Sequence, residues 1–206
     1  MNFLRLLLLA SIFFSCTEKP GPVAVNRPTL VLKDSLRSDT LNPFAPLDRS
    51  PMDISYFPVD YTVQKMSGDI KGLPAARVIY SRPQRQGRQI FGSLIRYNEA
   101  WRLGANEATE IEFFQPVTIQ NKTVAKGRYV LYAIPQEKEW TIIFNTHLFS
   151  WGLKPDAAFD VHRFVIPVQA SIEPVEYFSM VFQNSNGGAD LVIAWDTVVA
   201  RLPIQF

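Results

Sequence analysis

From residue 51 onward, apolar and polar residues alternate in short runs that are separated by turn residues. The C-terminal segment is the clearest case, because every second residue from Val198 to Phe206 is apolar. Alternation with a period of two predicts strands that are buried on one face and solvated on the other. Short strands joined by turns are typical of an antiparallel all-β domain.

The alternating runs predict about nine or ten strands, at spacings typical of a sandwich. Residues 128–134 predict a central strand, because residues 129–133 are apolar on both faces, and residues 120–122 suit a hairpin turn. Strands with one apolar face must bury it against a second layer. We therefore predict an antiparallel two-sheet β-sandwich, jelly-roll-like or immunoglobulin-like, as a single domain over residues 51–206. The first two and the last four predicted strands are residues 52–61, 75–80, 163–169, 175–183, 190–195 and 197–206.

The N-terminal residues carry a targeting signal. Arg5 precedes a short apolar run at residues 6–14 that is too short to span a bilayer as a helix, which is typical of a signal peptide over residues 1–15. Ser15 stands directly before Cys16, the only cysteine in the chain, and this pair resembles a bacterial lipobox. Acylation of Cys16 predicts a membrane-anchored extracytoplasmic lipoprotein, either periplasmic or on the outer-membrane surface. The alternative is an ordinary signal peptide that is cleaved elsewhere.

Residues 16–50 are rich in Pro, Ser, Asp and Thr and predict an extended tether, with one edge strand at residues 29–32 as an option. The chain of 206 residues is 47% hydrophobic, enough for one sizeable core. Its formal net charge of +2 is small and dispersed, so no nucleic-acid partner is predicted. The oligomeric state and the ligand stay open.

A long polar loop separates two predicted strands between residues 80 and 114. It concentrates arginines beside aromatic residues, and its three glycines and its aromatic content argue against disorder. We therefore expect any activity to lie in this loop.

Several segments of this region resemble one protein family. The strings ARVIYSRP (ending at Pro83), GRQIFG (residues 87–92) and WRLGANEAT (residues 101–109) are similar to segments of Domain of Unknown Function 2911, an uncharacterised bacterial family. The strings GRYVLYAIP, EWTIIFN and ADLVIAWD fit the same family in the same order. The resemblance covers about residues 51–204. It implies a secreted or lipid-anchored protein and carries no assigned reaction.

Guanidinium groups bind carboxylate or phosphate through two hydrogen bonds, and aromatic rings bind sugar faces. We predict a site for a carbohydrate or small anionic ligand in the loop. Its residues are Arg82, Arg88, Arg96, Tyr97, Trp101, Arg102, Asn106 and Glu107. The structural alternative is that Arg102 pairs with Glu107, Asn106 bonds to loop backbone and Trp101 plugs one end of the sandwich.

Catalysis is the competing function. Glu107 next to Arg102 suits a general base, with Glu110 or Glu112 as a second carboxylate, which would make the protein a glycan-directed hydrolase. A purely structural envelope component is a third option. The sequence has no nucleophile elbow, phosphate loop or dinucleotide fingerprint, so no cofactor is predicted.

His147 and His162, with Asp156 and Asp160 between them, have the ligand types of a metal site. Their spacing matches no metal-binding motif, so no metal is predicted.

Replacing Cys16 tests the lipid anchor. We expect Cys16→Ala, or treatment with globomycin, to move the protein from the membrane fraction to the soluble fraction, because the acyl chains supply the attachment. Immunoblots of the two fractions measure this. Unchanged membrane association of the Cys16→Ala protein would contradict the prediction.

Overall fold

A computed structural model describes residues 48–206. This part of the chain folds into an all-β domain with one short helix, α1 (Tyr61–Ser67), and one short 3-10 helix, Ala157–Phe159. The signal peptide, Cys16, the candidate strand at residues 29–32 and most of the predicted tether lie outside the described residues. The strands are β1 (Met52–Phe57), β2 (Ala76–Ser81), β3 (Thr109–Phe113), β4 (Val117–Ile119), β5 (Lys122–Val124), β6 (Gly127–Pro135), β7 (Glu139–Asn145), β8 (Asp160–Ser185) and β9 (Gly188–Gln205).

The nine strands form one antiparallel sheet in the order β1-β2-β3-β6-β7-β8-β9-β4-β5. The predicted all-β antiparallel class is therefore confirmed. The hydrogen bonding runs without a break through β8, which pairs with β7 at Trp140↔Ile166 and with β9 at Gln169↔Val199. Two separate sheets are not what the hydrogen bonding shows, so the sandwich stays a prediction.

The core forms on one face of this sheet, as the alternation predicts. In β3, Thr109, Ile111 and Phe113 are buried while Glu110 and Glu112 are half-exposed. Strand β6 is buried on both faces from residue 130 to residue 133 and pairs with β3 on one side and β7 on the other, so it is central. Burial on both faces requires the continuous apolar run that the sequence has there.

The predicted first strand is too long. Strand β1 ends at Phe57 because Pro58 has no N–H to donate to a ladder, and α1 follows. The helix starts after Asp60 and ends at Gly68, both in the left-handed region at φ 60° and φ 87°. All of its residues lie at least partly in solvent, so no apolar stripe announces it in the sequence.

The last four predicted strands form two long strands in the structure, β8 and β9. Residues 163–169 and 175–183 both belong to β8, whose pairing with β9 shifts register between Ala170 and Val175 and again between Val175 and Ser179. The predicted break near residue 196 falls within β9, where Asp196 has a φ of 52°. Between β8 and β9, Ser185 pairs with Gly188, so Asn186-Gly187 form a two-residue turn. Bulges interrupt the alternation of apolar and polar residues, so each bulge looks like the end of a strand in the sequence.

Strand β9 bends so far that its two ends meet. A Cβ atom on Gly188 would lie 2.0 Å from the carbonyl oxygen of Ile204 near the other end of the strand. A straight strand of this length would hold these residues about 50 Å apart. The left-handed residue Asp196 lies midway between them, which makes it the natural place for the bend.

Strands β4 and β5 form the hairpin predicted at residues 120–122. Gln120 and Asn121 make its turn with φ values of 47° and 61°. Two consecutive positive φ values are typical of a type I′ turn. No helix within residues 48–206 is long and apolar enough to cross a bilayer.

Gly188 tests the return of β9 on itself. We expect Gly188→Ala to lower the free energy of unfolding by about 3 kcal/mol, because the added methyl group meets backbone rather than a flexible side chain. The thermal midpoint should fall by about 6–12 °C. Gly72→Ala is the matched control, since no atom lies within 4 Å of the added Cβ there. Equal midpoints for the two variants would contradict the close approach.

Candidate functional site

The loop between β2 and β3 is fixed by backbone hydrogen bonds to β8. Phe178 N donates to Pro83 O at 2.9 Å, and Arg85 N donates to Glu176 O at 2.7 Å. The Glu176 carboxylate also accepts from Gln86 N at 2.8 Å. These bonds lie where β8 shifts register against β9. The loop therefore supplies hydrogen-bond partners for backbone groups of β8 that do not pair with β9 there.

The loop is attached a second time beside β6. Trp101 and Ala133 exchange two backbone hydrogen bonds of 2.8 Å each, and Asn98 N donates to Pro135 O at 2.8 Å. Strand β3 pairs with β6 only as far as Leu131, so the loop continues the ladder from that point. A segment that reads as a loop in the sequence is therefore bonded like an edge strand.

Trp101 anchors the loop through its side chain. The indole is 5% exposed, and its ring centroid lies 5.7 Å from that of Phe91, 5.6 Å from that of Trp140 and 5.2 Å from that of Phe178. It also stacks on Trp195 at 6.1 Å. Contacts of this kind add about 0.5–1.5 kcal/mol each to the burial of the ring. Trp101 thus belongs to the core and also forms part of a cleft wall.

An open cleft of about 610 Å³ lies along the outer side of this loop. Three of the predicted arginines, the predicted Trp101 and apolar side chains from both rims line it. The lining residues are Ser50, Pro83, Arg88, Leu94, Ile95, Arg96, Glu99, Ala100, Trp101, Arg102, Gly104, Ala105, Gly152, Leu153 and Trp195. Arginines above aromatic and aliphatic side chains suit a ligand with an anionic group and an apolar face.

Two of the cleft arginines, Arg88 and Arg102, form no ion pair with any carboxylate of the described residues. The Arg88 guanidinium donates to the backbone oxygens of Gln84 and Arg85, and Arg102 Nη1 donates to Trp151 O at 3.2 Å. Within residues 48–206, no carboxylate oxygen lies within 4 Å of either guanidinium. Both arginines are therefore held in place by neutral acceptors.

The remaining cleft arginine has a weak partner. Arg96 lies 3.5 Å from Glu99, and both side chains are largely exposed. Exposed pairs of this kind contribute between nothing and about 1 kcal/mol. Burial lowers the pKa of Arg102 from its ordinary value, and the charge of Glu107 opposes that shift. An arginine remains protonated through such a shift, so the cleft stays cationic.

Four predicted residues, Arg82, Tyr97, Asn106 and Glu107, lie outside the cleft lining. Arg82 is 3.2 Å from Asp53 and lies 5.6 Å from the centre of the Tyr177 ring, so it links the loop to β1 and β8. The exposed Glu107 neither lines the cleft nor pairs with Arg102 within 4 Å. Tyr97 packs partly against the core.

Asn106 holds the segment that enters the domain. Its side-chain amide donates to the Asp48 carboxylate at 3.0 Å and to Ser50 O at 3.3 Å. Its own φ is 57°, a conformation that asparagine tolerates better than most residues. Asn106 therefore positions the first described residues beside the cleft, where Ser50 forms part of the lining.

Asp196 and Arg85 hold the loop although neither is among the predicted site residues. Arg85 Nε and Asp196 Oδ1 form an ion pair at 2.6 Å, and Ile90 N donates to Asp196 Oδ2 at 3.1 Å. Asp196 is 6% exposed. It lies between two predicted strands, a position that predicts a polar turn residue rather than a buried ionic partner. An aspartate beside the buried Trp195 was the available signal.

The opposite rim of the cleft was missed as well. Gly152 and Leu153 line the cleft, and Trp151 accepts the hydrogen bond from Arg102. Gly152 must be a glycine, because its φ is 79° and a Cβ would lie 2.9 Å from that of Ala108. In the sequence, the pair Trp151-Gly152 also resembles the DUF2911 family, and this resemblance was the available signal for this rim.

The possible metal ligands of the sequence have other partners. His147 stacks on Phe159 at 5.0 Å and His162 stacks on Phe164 at 5.9 Å. The Asp160 carboxylate accepts from Tyr132 Oη at 2.8 Å, Asn145 Nδ2 at 2.8 Å and Arg163 Nη2 at 2.7 Å. Burial, together with the bond to Asp160, raises the pKa of Tyr132. Across residues 48–206, no three histidine, cysteine or acidic side chains are grouped to hold a metal ion.

Comparison with known proteins gives one match. The model of a family described as "Protein of unknown function (DUF2911)" matches residues 62–204, which include the loop between β2 and β3 and every residue of the cleft lining except Ser50. Neither the curated proteins nor the solved structures contain a match.

Replacing Asp196 tests the attachment of the loop. We expect Asp196→Ala to lower the free energy of unfolding by about 2–4 kcal/mol, because it leaves Ile90 N–H without its acceptor and the Arg85 guanidinium without its counter-charge. Denaturant unfolding measures the loss. Asp196→Asn should be milder, since an amide oxygen can still accept and asparagine tolerates a positive φ.

The control for this experiment is Asp190→Ala on the same strand. Within the described residues, the Asp190 carboxylate has no ion pair or hydrogen bond. Unfolding energies that are the same for Asp196→Ala and Asp190→Ala would show that the ion pair contributes nothing to stability.

Proposed function

Because this chain belongs to the DUF2911 family of proteins of unknown function, with a match over residues 62–204, we propose a function from its cleft. We propose a lipid-anchored, extracytoplasmic binding domain that holds a small anionic or carbohydrate ligand beside the 80–109 loop and does not catalyse a reaction. The observation that supports this proposal most directly is that Arg88 and Arg102 line the cleft without a carboxylate partner within residues 48–206.

The two arginines favour a carboxylate or phosphate. An unpaired guanidinium at the edge of an apolar cleft gains more from an anionic ligand than a surface ion pair does, because part of the water is excluded there. Both side chains are already positioned by bonds to Gln84, Arg85 and Trp151. Less conformational entropy is therefore lost when a ligand binds.

The shape of the cleft favours a ligand with an apolar face. Its volume of about 610 Å³ is within the range of small-molecule sites. Leu94 and Leu153, which are exposed, provide apolar surface in the lining, and the nearly buried Trp101 and Trp195 lie beneath it. A sugar acid or another compact ring that bears a carboxylate or phosphate combines these features.

Hydrolysis is supported less well than binding. Glycoside hydrolases use two carboxyl groups across the scissile bond. Within the described residues, Glu99 is the one acidic residue on the cleft lining, and it is paired with Arg96. Glu107 is exposed outside the lining, while Glu110 and Glu112 form ion pairs with Arg128 and Arg77. The proposed role of the cleft is therefore binding.

We also propose that the single sheet folds into two layers, as in a sandwich. Rings from strands that are not hydrogen-bonded neighbours meet in the core. Tyr80 of β2 contacts Phe178 of β8 at 5.7 Å, and Phe57 of β1 contacts Phe182 of β8 at 6.2 Å. Burial between the layers raises the pKa of the Tyr80 hydroxyl to about 12. The strand order and the bend of β9 are consistent with a sheet that closes over its own face.

A binding screen with matched variants tests this proposal. Purified protein is titrated by calorimetry with inorganic phosphate, uronic acid oligosaccharides and neutral oligosaccharides. We expect a charged compound to bind and expect Arg88→Gln and Arg102→Gln to weaken it about tenfold or more, since a hydrogen bond to a charged group contributes about 1.5–3 kcal/mol. Added salt should weaken binding as well.

Arg201→Gln is the control, because Arg201 bonds to Gln183 and does not line the cleft. Thermal unfolding of each variant confirms that it is folded. Equal affinities of the wild-type protein, Arg88→Gln and Arg102→Gln for the bound compound would remove the cleft arginines from the account.

A further inference from the structure

The loop between β7 and β8 exposes large apolar side chains. Phe149 is 84% exposed, Trp151 is 57% exposed and Leu153 is 63% exposed. We call these three residues the apolar rim. Three large apolar residues that are exposed within five positions of one short loop are a patch rather than scattered surface positions, and such a patch marks an interaction site.

The backbone holds the apolar rim outward. Phe149 has a φ of 58°, which is unfavourable for a bulky side chain, so the surrounding loop imposes it. Arg102 holds Trp151 through its backbone oxygen, and Gly152 packs against Ala108 with no room for a Cβ. The loop could bury these side chains only by breaking these contacts.

Cations accompany the rings. The Arg128 guanidinium lies 5.2 Å from the centre of the Phe149 ring, and that of Arg102 lies 5.8 Å from the centre of the Trp151 ring. Lys154 follows Leu153 and is exposed. Arg128 is paired with Glu110, whereas Arg102 has no carboxylate within 4 Å in the described residues. Aromatic side chains next to cations are typical of surfaces that rest on anionic lipid.

The chain enters the domain on the same side. Asn106 binds Asp48, the first described residue, and Ser50 lines the same cleft as Leu153. Arg102, which holds Trp151, is four residues before Asn106. Asp48 and Ser50, with which the described part of the chain begins, therefore lie on the side of the cleft and the apolar rim.

We propose that Phe149, Trp151 and Leu153 rest on the surface of a bilayer that contains anionic lipids, with Arg102 and Lys154 near the headgroups. The occupant is a lipid surface because the apolar rim projects beyond the fold, has cations beside it and adjoins the entry of the anchor-bearing segment. The bilayer would orient the cleft toward the membrane interface. This inference rests on the envelope location in the proposed function.

Vesicle binding without any acyl chain tests the inference. The mature-length chain, residues 16–206 with Cys16→Ser, is sedimented with vesicles of phosphatidylglycerol and phosphatidylcholine, or of phosphatidylcholine alone. We expect binding to the anionic vesicles and weaker binding to the neutral ones. The emission of Trp151 should shift to shorter wavelength, and Trp151 is the exposed tryptophan, since Trp101, Trp140 and Trp195 are buried.

The decisive variant is Phe149→Asn with Leu153→Gln. Asparagine suits the positive φ at position 149, so the fold is retained, which thermal unfolding checks. We expect the partition coefficient to fall about a hundredfold, since each side chain contributes about a factor of ten. The control is Ile172→Gln, because Ile172 is 99% exposed on β8 outside this loop.

Absence of wild-type binding would overturn the inference, and so would an equal loss for Ile172→Gln and the double variant. Equal binding to the two kinds of vesicle would overturn the role of the cations. None of these results depends on lipidation of Cys16 or on the cleft ligand. Those two proposals are tested by separate experiments.

Discussion

The structure depends on the burial of Trp101 at the point where the polar loop meets the sheet. The indole packs among Phe91, Trp140, Phe178 and Trp195, while the Trp101 backbone continues the ladder of β6. One residue thus joins the loop to the core by apolar contact and by hydrogen bonds. Because the loop is attached in this way, its arginines hold fixed positions, which a cleft needs to recognise a ligand.

Charged side chains also determine how this loop is held and what it can bind. The ion pair of Arg85 with the buried Asp196 draws the loop onto β9, while Arg88 and Arg102 bond to neutral acceptors and form no ion pair within residues 48–206. The first pair is structural, since both of its charges are used within the fold. Arg88 and Arg102 instead supply the positive charges with which the cleft can bind a ligand. The same residue type therefore has different roles, which depend on whether a carboxylate lies opposite.

The alternating pattern was sufficient to predict the all-β class, the central strand β6 and the hairpin at residues 120–121, because each depends on local periodicity or turn chemistry. It could not predict that β8 and β9 are continuous, since bulges and the left-handed Asp196 interrupt the pattern without ending the strand. The position of the long loop between two strands was predicted correctly. Its partners on β8, and the opposite rim with Trp151, come from contacts between residues that are distant in the sequence.

Hydrogen exchange at the Trp101 amide tests the central claim most directly. A loop that continues the ladder of β6 should protect this amide about as well as that of Leu131 in the middle of the sheet, because both are buried and bonded to a neighbouring strand. Comparable exchange rates for the two amides are the predicted result. Exchange of the Trp101 amide at the rate of an unprotected loop would contradict the account.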